Sequence, residues 1–506
     1  MKFYDRAREF QDIQDILADS SCTLTIVYGP RDAGKSRLLE VALADQRHYS
    51  YQATKRVMSQ QMPDMTAALT EMDPGIITAG PLPSVEAVFD ILAEHADRAP
   101  TRPLPIVIDE LPYLADADKG LLTVFQKWWR RERKKRKNLK VFFLGSRQSW
   151  MKKEAVSEEA ALKTARTHNL EIRPLNYHFA ASFYPGWDAT DRIRAWGVWG
   201  GLPGILELID PSRSLMENIR DLTLRPRARL YTEPDWLKFT ELRSEVVYSS
   251  LVRSIAHGAR SAGNVAKGIG KNSATDVKIY LDELREARVA ERRPALAAKG
   301  EAQRTAMYVL TDPFLSYWYR FIDPNKSTLE RGNLAPTLAL LADPQEGLDK
   351  LISEQAFEDV CREFFAEAHD AGRLPKDLAY SHLGSWWKGS REESSEQLDL
   401  VAYDKRELTA VGECKWTNDP VGMSEVRDLE RIVREASAEL KPKAGHYRLL
   451  FAKSGFTRDV RDLAQDPAAR LLIFEPADLY WQLSRSITPG RSARTSPVKR
   501  AAATPP

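Results

Sequence analysis

The stretch Gly29-Pro30-Arg31-Asp32-Ala33-Gly34-Lys35-Ser36, directly after the apolar run Leu24-Thr25-Ile26-Val27-Tyr28, constrains this chain more than any other. It reads as a buried strand, a glycine-punctuated turn, and a helix opening at Lys35 with Leu38, Leu39 and Ala42 on its apolar side. A loop between strand and helix can curl so that successive backbone N–H groups point inward, and the helix N-terminus adds positive potential at the same place. The spacing therefore predicts a cradle for a triphosphate over Gly29, Pro30, Arg31, Asp32, Ala33, Gly34, Lys35, Ser36 and Arg37. Lys35 is expected to reach the β- and γ-phosphates, and the Ser36 hydroxyl to ligate Mg²⁺. The plain alternative is a strand-turn-helix matching the motif by chance.

One such module does not use up 506 residues, so about three domains are expected. Hydrophobic residues at 43% and charged residues at 29% are those of a globular protein able to bury cores. A formal net charge of +3 does not announce a nucleic-acid binder, so any such role must rest on local patches. Cys22, Cys361 and Cys414 are too few and too scattered for a disulfide framework or paired metal ligands, which predicts a reducing compartment. The N-terminal residues lack the apolar run of a signal peptide, and no stretch reaches membrane-spanning length. A cytoplasmic protein with no membrane partner is the expectation.

In chain order, an amphipathic helix with Phe10, Ile13, Ile16 and Leu17 precedes the loop, and packing alone would explain it. A second strand is expected over 48–53, then a helix capped by Ser84. The run Leu104-Pro105-Ile106-Val107-Ile108-Asp109-Glu110 suits a strand buried on both faces with two carboxylates at its C-terminal end, where ligands of open parallel sheets bind. Asp109 would hold the Mg²⁺ shell and Glu110 would orient or deprotonate the attacking water. The block 130–137, with seven basic residues, is either a phosphate grip or a solvated helix end. A further strand, Val141-Phe142-Phe143-Leu144-Gly145, leads into Ser146.

These pieces together resemble the archaeal ATPase family of P-loop proteins, relatives of the AAA+ and signal-transducing NTPases. The matching segments are 3–9, Tyr28 through Lys35, Ile108-Asp109-Glu110-Leu111-Pro112-Tyr113-Leu114, Gly145-Ser146 with Trp150-Met151, Arg166-Thr167, and Gly200-Gly201-Leu202-Pro203. The resemblance implies that Ser146 is a polar sensor of hydrolysis and that Arg166 is a basic residue approaching the phosphates. Ala165 stands where the family commonly has Gly, which weakens the carry-over for Arg166. The Gly200-Gly201-Leu202-Pro203 run would sit in a helical lid, or be only a helix-breaking turn.

Beyond the lid, helical patterns followed by two β-like pieces, 288–291 and 306–310, have the order of a winged helix, which the family carries here. The outward residues of its third helix, Asn272, Thr275, Asp276, Lys278 and Asp282, include two acids and one base, favouring protein packing over groove reading. In the last domain Gln397 through Tyr403 and Leu408 through Trp416 read as a hairpin on which Glu413 and Lys415 share a face and Asp399 can converge with them. This resembles a PD-(D/E)xK nuclease core preceded by Gly384-Ser385-Trp386-Trp387. The resemblance implies Glu358 as the helix carboxylate, Asp399 and Glu413 as metal ligands, and Lys415 as the residue that steadies or deprotonates a metal-bound water. An inactive nuclease-like fold or a salt-bridged hairpin is the competing reading.

The expected fold class is α/β: a P-loop NTPase with an ASCE-type parallel sheet (1–175), a helical lid (176–243), a winged helix (244–322), a linker (323–349), a restriction-endonuclease-like α/β domain (350–486) and a disordered tail (487–506). The expected function is ATP binding and hydrolysis coupled to a metal-dependent DNA nuclease-like domain. The alternative is an ATP-dependent switch or DNA-binding regulator with an inactive nuclease-like domain. ATP, Mg²⁺ and DNA are the expected ligands, with a protein partner or a second copy of the chain as further candidates.

Overall fold

The computed structural model describes residues 6–232, 245–389 and 396–481. The tail expected at 487–506, together with Phe3 and Tyr4, lies outside the described residues.

β1 (Thr23–Tyr28), β2 (Tyr49–Gln52), β3 (Leu104–Asp109), β4 (Leu139–Gly145) and β5 (His168–Glu171) form a five-stranded sheet in the order β2-β3-β4-β1-β5, parallel at every step. The nearly continuous apolar runs of β1, β3 and β4 follow from burial on both faces, whereas the edge strands β2 and β5 are partly exposed and more polar. Ile26, Ile106 and Phe143 enter a cluster with Phe89 and Trp128, whereas Val27, Val107 and Phe142 enter the one on the other face. Because β4 lies between β1 and β3, the C-terminal ends of the strands that lead to Lys35, Asp109 and Ser146 are neighbours. The N-terminal part is thus a parallel α/β sheet of the P-loop NTPase kind.

Ser84 caps the helix Val85–Asp97 by accepting the Ala87 N–H at 3.2 Å. The helix Met58–Met72, with Pro63 inside it, adds a segment the sequence pattern did not reveal. The helix Leu121–Glu132 buries Trp128 completely, 5.0 Å from the ring of Phe89 and with its Nε1 donating to Asp90 at 3.1 Å. Trp128→Ala is expected to cost ~3–5 kcal/mol through the cavity it leaves, read as a lower midpoint in urea unfolding. The basic block at the end of this helix is partly consumed internally. Arg131 bonds Asp90, and Arg136 bonds Asp97 and the buried Glu132.

Past the sheet, the helix Ala189–Trp199 opens on an Asp188 cap, and Arg194 on it grips both carboxylate oxygens of Asp349 at 2.8 and 3.0 Å. Lys453 bonds the same carboxylate at 2.6 Å. Burial works against charge on Asp349, but the two cations outweigh it and hold the group well below the usual carboxylate range. The span expected as a linker, 323–349, contains the helices Lys326–Glu330 and Ala335–Ala342. A single apolar cluster runs from Val27 through Trp199 and Trp318 to Phe365 and Leu449, so the sheet, the lid helices and the C-terminal part share a core.

The helices Glu245–Ala256, Ala262–Gly268 and Thr275–Glu286 are followed by an antiparallel hairpin of β6 (Ala290–Ala297) and β7 (Gly300–Leu310). The helix Phe357–Asp370 then precedes β8 (His382–Trp387), β9 (Gln397–Asp404) and β10 (Glu407–Lys415), with β9 antiparallel to both β8 and β10. After the helix Met423–Glu435, β11 (Pro442–Ala452) lies parallel to β10 and β12 (Leu471–Phe474) parallel to β11. The second sheet is therefore mixed, in the order β12-β11-β10-β9-β8.

Where the helix Phe357–Asp370 meets the chain after β5, Asn176 donates to Glu367 at 2.6 Å and His178 Nδ1 lies 2.9 Å from the same carboxylate. Glu363, one turn earlier, has a buried Oε2 without a hydrogen-bond partner. Burial pushes its carboxyl up to about 8, with Asp359 and Glu367 adding to the effect and the Tyr177 amide and Arg293 opposing it. Between the ordinary value of 4.5 and about 8 the folded chain holds a proton that the unfolded chain has lost, so stability falls as pH rises through that window. Glu363→Gln is expected to flatten that fall, leaving the variant with the higher melting temperature at the alkaline end in a series of thermal melts against pH.

Candidate functional site

Each part of the candidate site follows from where a strand ends. β1 stops at Tyr28, and the chain turns through Gly29, Pro30, Arg31, Asp32 and Ala33 to Gly34, whose φ of 88° sets the entry into the helix Lys35–Ala42. Gly29 is required by contact: a Cβ there would lie 2.0 Å from the Ile172 carbonyl oxygen. Lys35 is 4% exposed, and its ammonium donates to the carbonyls of Gly29 at 3.0 Å and Pro30 at 2.8 Å and to Ser146 Oγ at 2.9 Å. Burial lowers the Lys35 pKa from its ordinary value, and Glu110, Asp109 and Asp32 offset part of that shift. Arg37 pairs with Glu40 along the exposed helix face at 3.0 Å.

β3 delivers the carboxylates. Asp109 is buried and accepts a hydrogen bond from the Ser36 hydroxyl on one oxygen and the Glu110 N–H at 2.8 Å on the other. Glu110 adopts a left-handed backbone with φ 53°, an uncommon conformation for a residue other than glycine. Its carboxylate takes the Ser146 hydroxyl and, at 3.2 Å, the Ser146 N–H. The result is two linked pairs, Ser36 with Asp109 and Lys35 through Ser146 to Glu110, set across three adjacent strand ends. The donor set fits a polyphosphate with its metal: an ammonium and a helix N-terminus for phosphoryl oxygens, and a hydroxyl beside a carboxylate for Mg²⁺.

Two supports went unassigned in the sequence. Arg6 is 5% exposed, and its guanidinium donates to the carbonyls of Ala33 at 3.1 Å and Arg173 at 2.6 Å, which ties the loop to the chain after β5. Its signal was its place in the stretch 3–9 that carries the family resemblance. The Gly204 N–H donates to the Asp32 carbonyl at 3.1 Å, so the turn that begins at Gly200 reaches the loop backbone.

Arg166 makes its hydrogen bonds away from the loop. It precedes β5 at the end of the sheet where Thr167 pairs with Leu24, whereas the phosphate loop leaves the other end of β1. At ~3.3 Å per residue, Leu24 and Tyr28 are about 13 Å apart along the strand. The Arg166 guanidinium is used by the carbonyls of Ala155 at 3.1 Å and Ser157 at 3.3 Å and by Glu158 at 3.5 Å.

In the second sheet, Asp399 on β9 is 4% exposed and accepts the Cys414 N–H of β10 at 3.0 Å. Glu413 accepts Lys415 Nζ at 2.7 Å. Burial opposes the charge on Lys415, but Glu413, Asp399 and Glu425 raise its pKa overall. Glu358 stands on the helix Phe357–Asp370, 3.4 Å from Arg362. Among the described residues no group of three or more His, Cys, Asp or Glu side chains could hold a metal ion. Asp399 and Glu413, both expected as ligands, accept a hydrogen bond from an amide and from an ammonium respectively.

No helix among the described residues is long and apolar enough to cross a membrane. An uncharacterized protein of Methanocaldococcus jannaschii is 25% identical over 434 residues, 86% of this chain and 90% of that protein. Among solved structures, a Walker-type ATPase of Pyrococcus abyssi is 17% identical with a TM-score of 0.47, covering 63% of this chain and 96% of its own. The ORC2 protein of Aeropyrum pernix is 14% identical with a TM-score of 0.42, covering 65% and 95%. Residues 318–432 match a family described as archaeal and bacterial proteins of unknown function. Residues 3–209, the span that holds the loop, Asp109, Glu110 and Ser146, match the family described as an ATPase domain predominantly from Archaea.

Proposed function

We propose that this chain binds and hydrolyses ATP at the C-terminal ends of β1, β3 and β4, and that nucleotide state governs a C-terminal DNA-cleaving site. The observation that carries the first half is the pairing of Ser36 with Asp109 and of Lys35 through Ser146 with Glu110. In this reading the backbone N–H groups of Gly29 and of 31–34, together with Lys35, hold the β- and γ-phosphates, and Glu110 orients the attacking water and accepts its proton. Ser146 keeps Glu110 and Lys35 in register. Ser36 and Asp109 would hold Mg²⁺, whose charge offsets that of the phosphoryl oxygens.

For the second half, the support is the order of elements, a helix, three antiparallel strands, a crossover helix and a parallel strand, with Asp399, Glu413 and Lys415 on neighbouring strands. The competing reading is an ATP-dependent switch whose C-terminal fold only grips DNA or protein, and the internal pairing of Glu413 with Lys415 favours it. Parallel assays of phosphate release and plasmid nicking, with Mg²⁺ or Mn²⁺, on wild type and Glu413→Ala decide between them. Nicking that the variant lacks supports the nuclease; ATP turnover with no nicking by either protein supports the switch.

A further inference from the structure

The β6–β7 hairpin lies against the second sheet. Leu296, Ala297 and Ala298 share an apolar cluster with Trp386 and Leu398, and Ala295, Met307 and Val309 pack with Trp387. A Cβ on Gly384 would come within 3.1 Å of Leu296 Cβ, so the bare backbone of β8 is what lets the hairpin approach. Midway along β6, Arg293 donates to both oxygens of Asp359, at 2.6 and 3.1 Å. Asp359 also takes Arg362, which reaches Glu358 at 3.4 Å, Ser385 Oγ at 2.8 Å and the Asp399 carbonyl at 2.7 Å. The space left in this seam is a cavity of about 30 Å³ lined by Arg260, Arg293, Glu354, Glu358, Asp359 and Arg362 among others. That is room for about two waters.

We infer that the β6–β7 hairpin is an autoinhibitory cover on the C-terminal domain: seated, it closes the side on which Glu358 stands, and a nucleic-acid backbone enters only after Arg293 leaves Asp359. This rests on the nuclease reading above. The base of the hairpin points to what releases it. Arg288, just before β6, forms an ion pair with Glu171, which pairs in register with Tyr28 immediately before the phosphate loop. A change at the loop therefore has a short route to the root of the cover, and the core shared along its length gives it a second seated face to leave.

The test uses the full chain with Arg293→Glu, which sets two carboxylates against each other, and Leu296→Asp, which makes the seat polar. Hydrogen exchange over 357–370 reads the opening, ATP titration checks that the first sheet is intact, and Mn²⁺-dependent plasmid nicking reads the site. Faster exchange with nicking raised at least about ten-fold, and lost again on adding Glu413→Ala, is the expected result. Faster exchange with nicking at the parent's rate overturns the cover and leaves the nuclease reading standing. No nicking by parent or variants overturns the nuclease reading and the cover with it. Unchanged exchange in both variants overturns the role given to Arg293 and Leu296.

Discussion

Glu110→Gln is expected to lower ATP turnover by ~10²–10⁴-fold, the usual contribution of a positioned proton acceptor, while leaving ATP affinity within about two-fold of wild type. Gln has the same shape and can still accept one hydrogen bond from Ser146, so the geometry at the end of β3 survives. It can no longer take a proton. Neither partner of Glu110, the Ser146 hydroxyl or its N–H, belongs to the phosphate loop, which is why binding should be spared. Phosphate release at saturating ATP, set beside an equilibrium titration, separates the two quantities. Turnover unchanged in the variant would remove Glu110 from the chemistry.

Lys35→Ala should act one step earlier. The Lys35 ammonium is buried against Gly29, Pro30 and Ser146, and its reach covers the mouth of the loop. Hydrogen bonds to charged groups contribute ~1.5–3 kcal/mol each, so losing two to phosphate oxygens lowers ATP affinity by about 10²–10⁴-fold. Folding should be little affected, because alanine suits the first turn of a helix and removes a buried charge that burial already disfavours. Titration with ATP, and thermal melts with and without it, read both effects. Wild-type affinity in the variant would contradict the assignment of the cradle.

The central strands of the first sheet were legible because a strand buried on both faces is nearly all apolar, as 24–28 with only Thr25 polar, 104–108 and 141–144 are, whereas β5 (His168–Glu171) carries no such run and was not legible. The loop and Asp109 were legible because their chemistry needs particular residues at strand ends. What the sequence hid was set by tertiary placement. The helix Met58–Met72 carries Pro63, which argues against a helix when read locally. Arg166 has the residue type a phosphate site would use, but which end of the sheet it occupies depends on the register of β5 against β1. Arg6 works through backbone carbonyls, which leave no pattern in side chains. The hairpin could be read as β structure, yet its burial against β8 is settled by residues some ninety positions apart. Asp399, Glu413 and Lys415 lie on the adjacent interior strands β9 and β10, and Glu413 turns to Lys415, a choice that spacing alone does not reveal.

The central claim is that the turn from Gly29 to Ser36 holds a magnesium-bound nucleotide. Isothermal titration of the folded full chain with ATP and Mg²⁺, repeated with Lys35→Ala, tests it most directly. Saturable uptake of one nucleotide per chain that the variant loses is the predicted result. A folded wild-type protein that takes up no nucleotide, or a variant that binds as well as wild type, would contradict it.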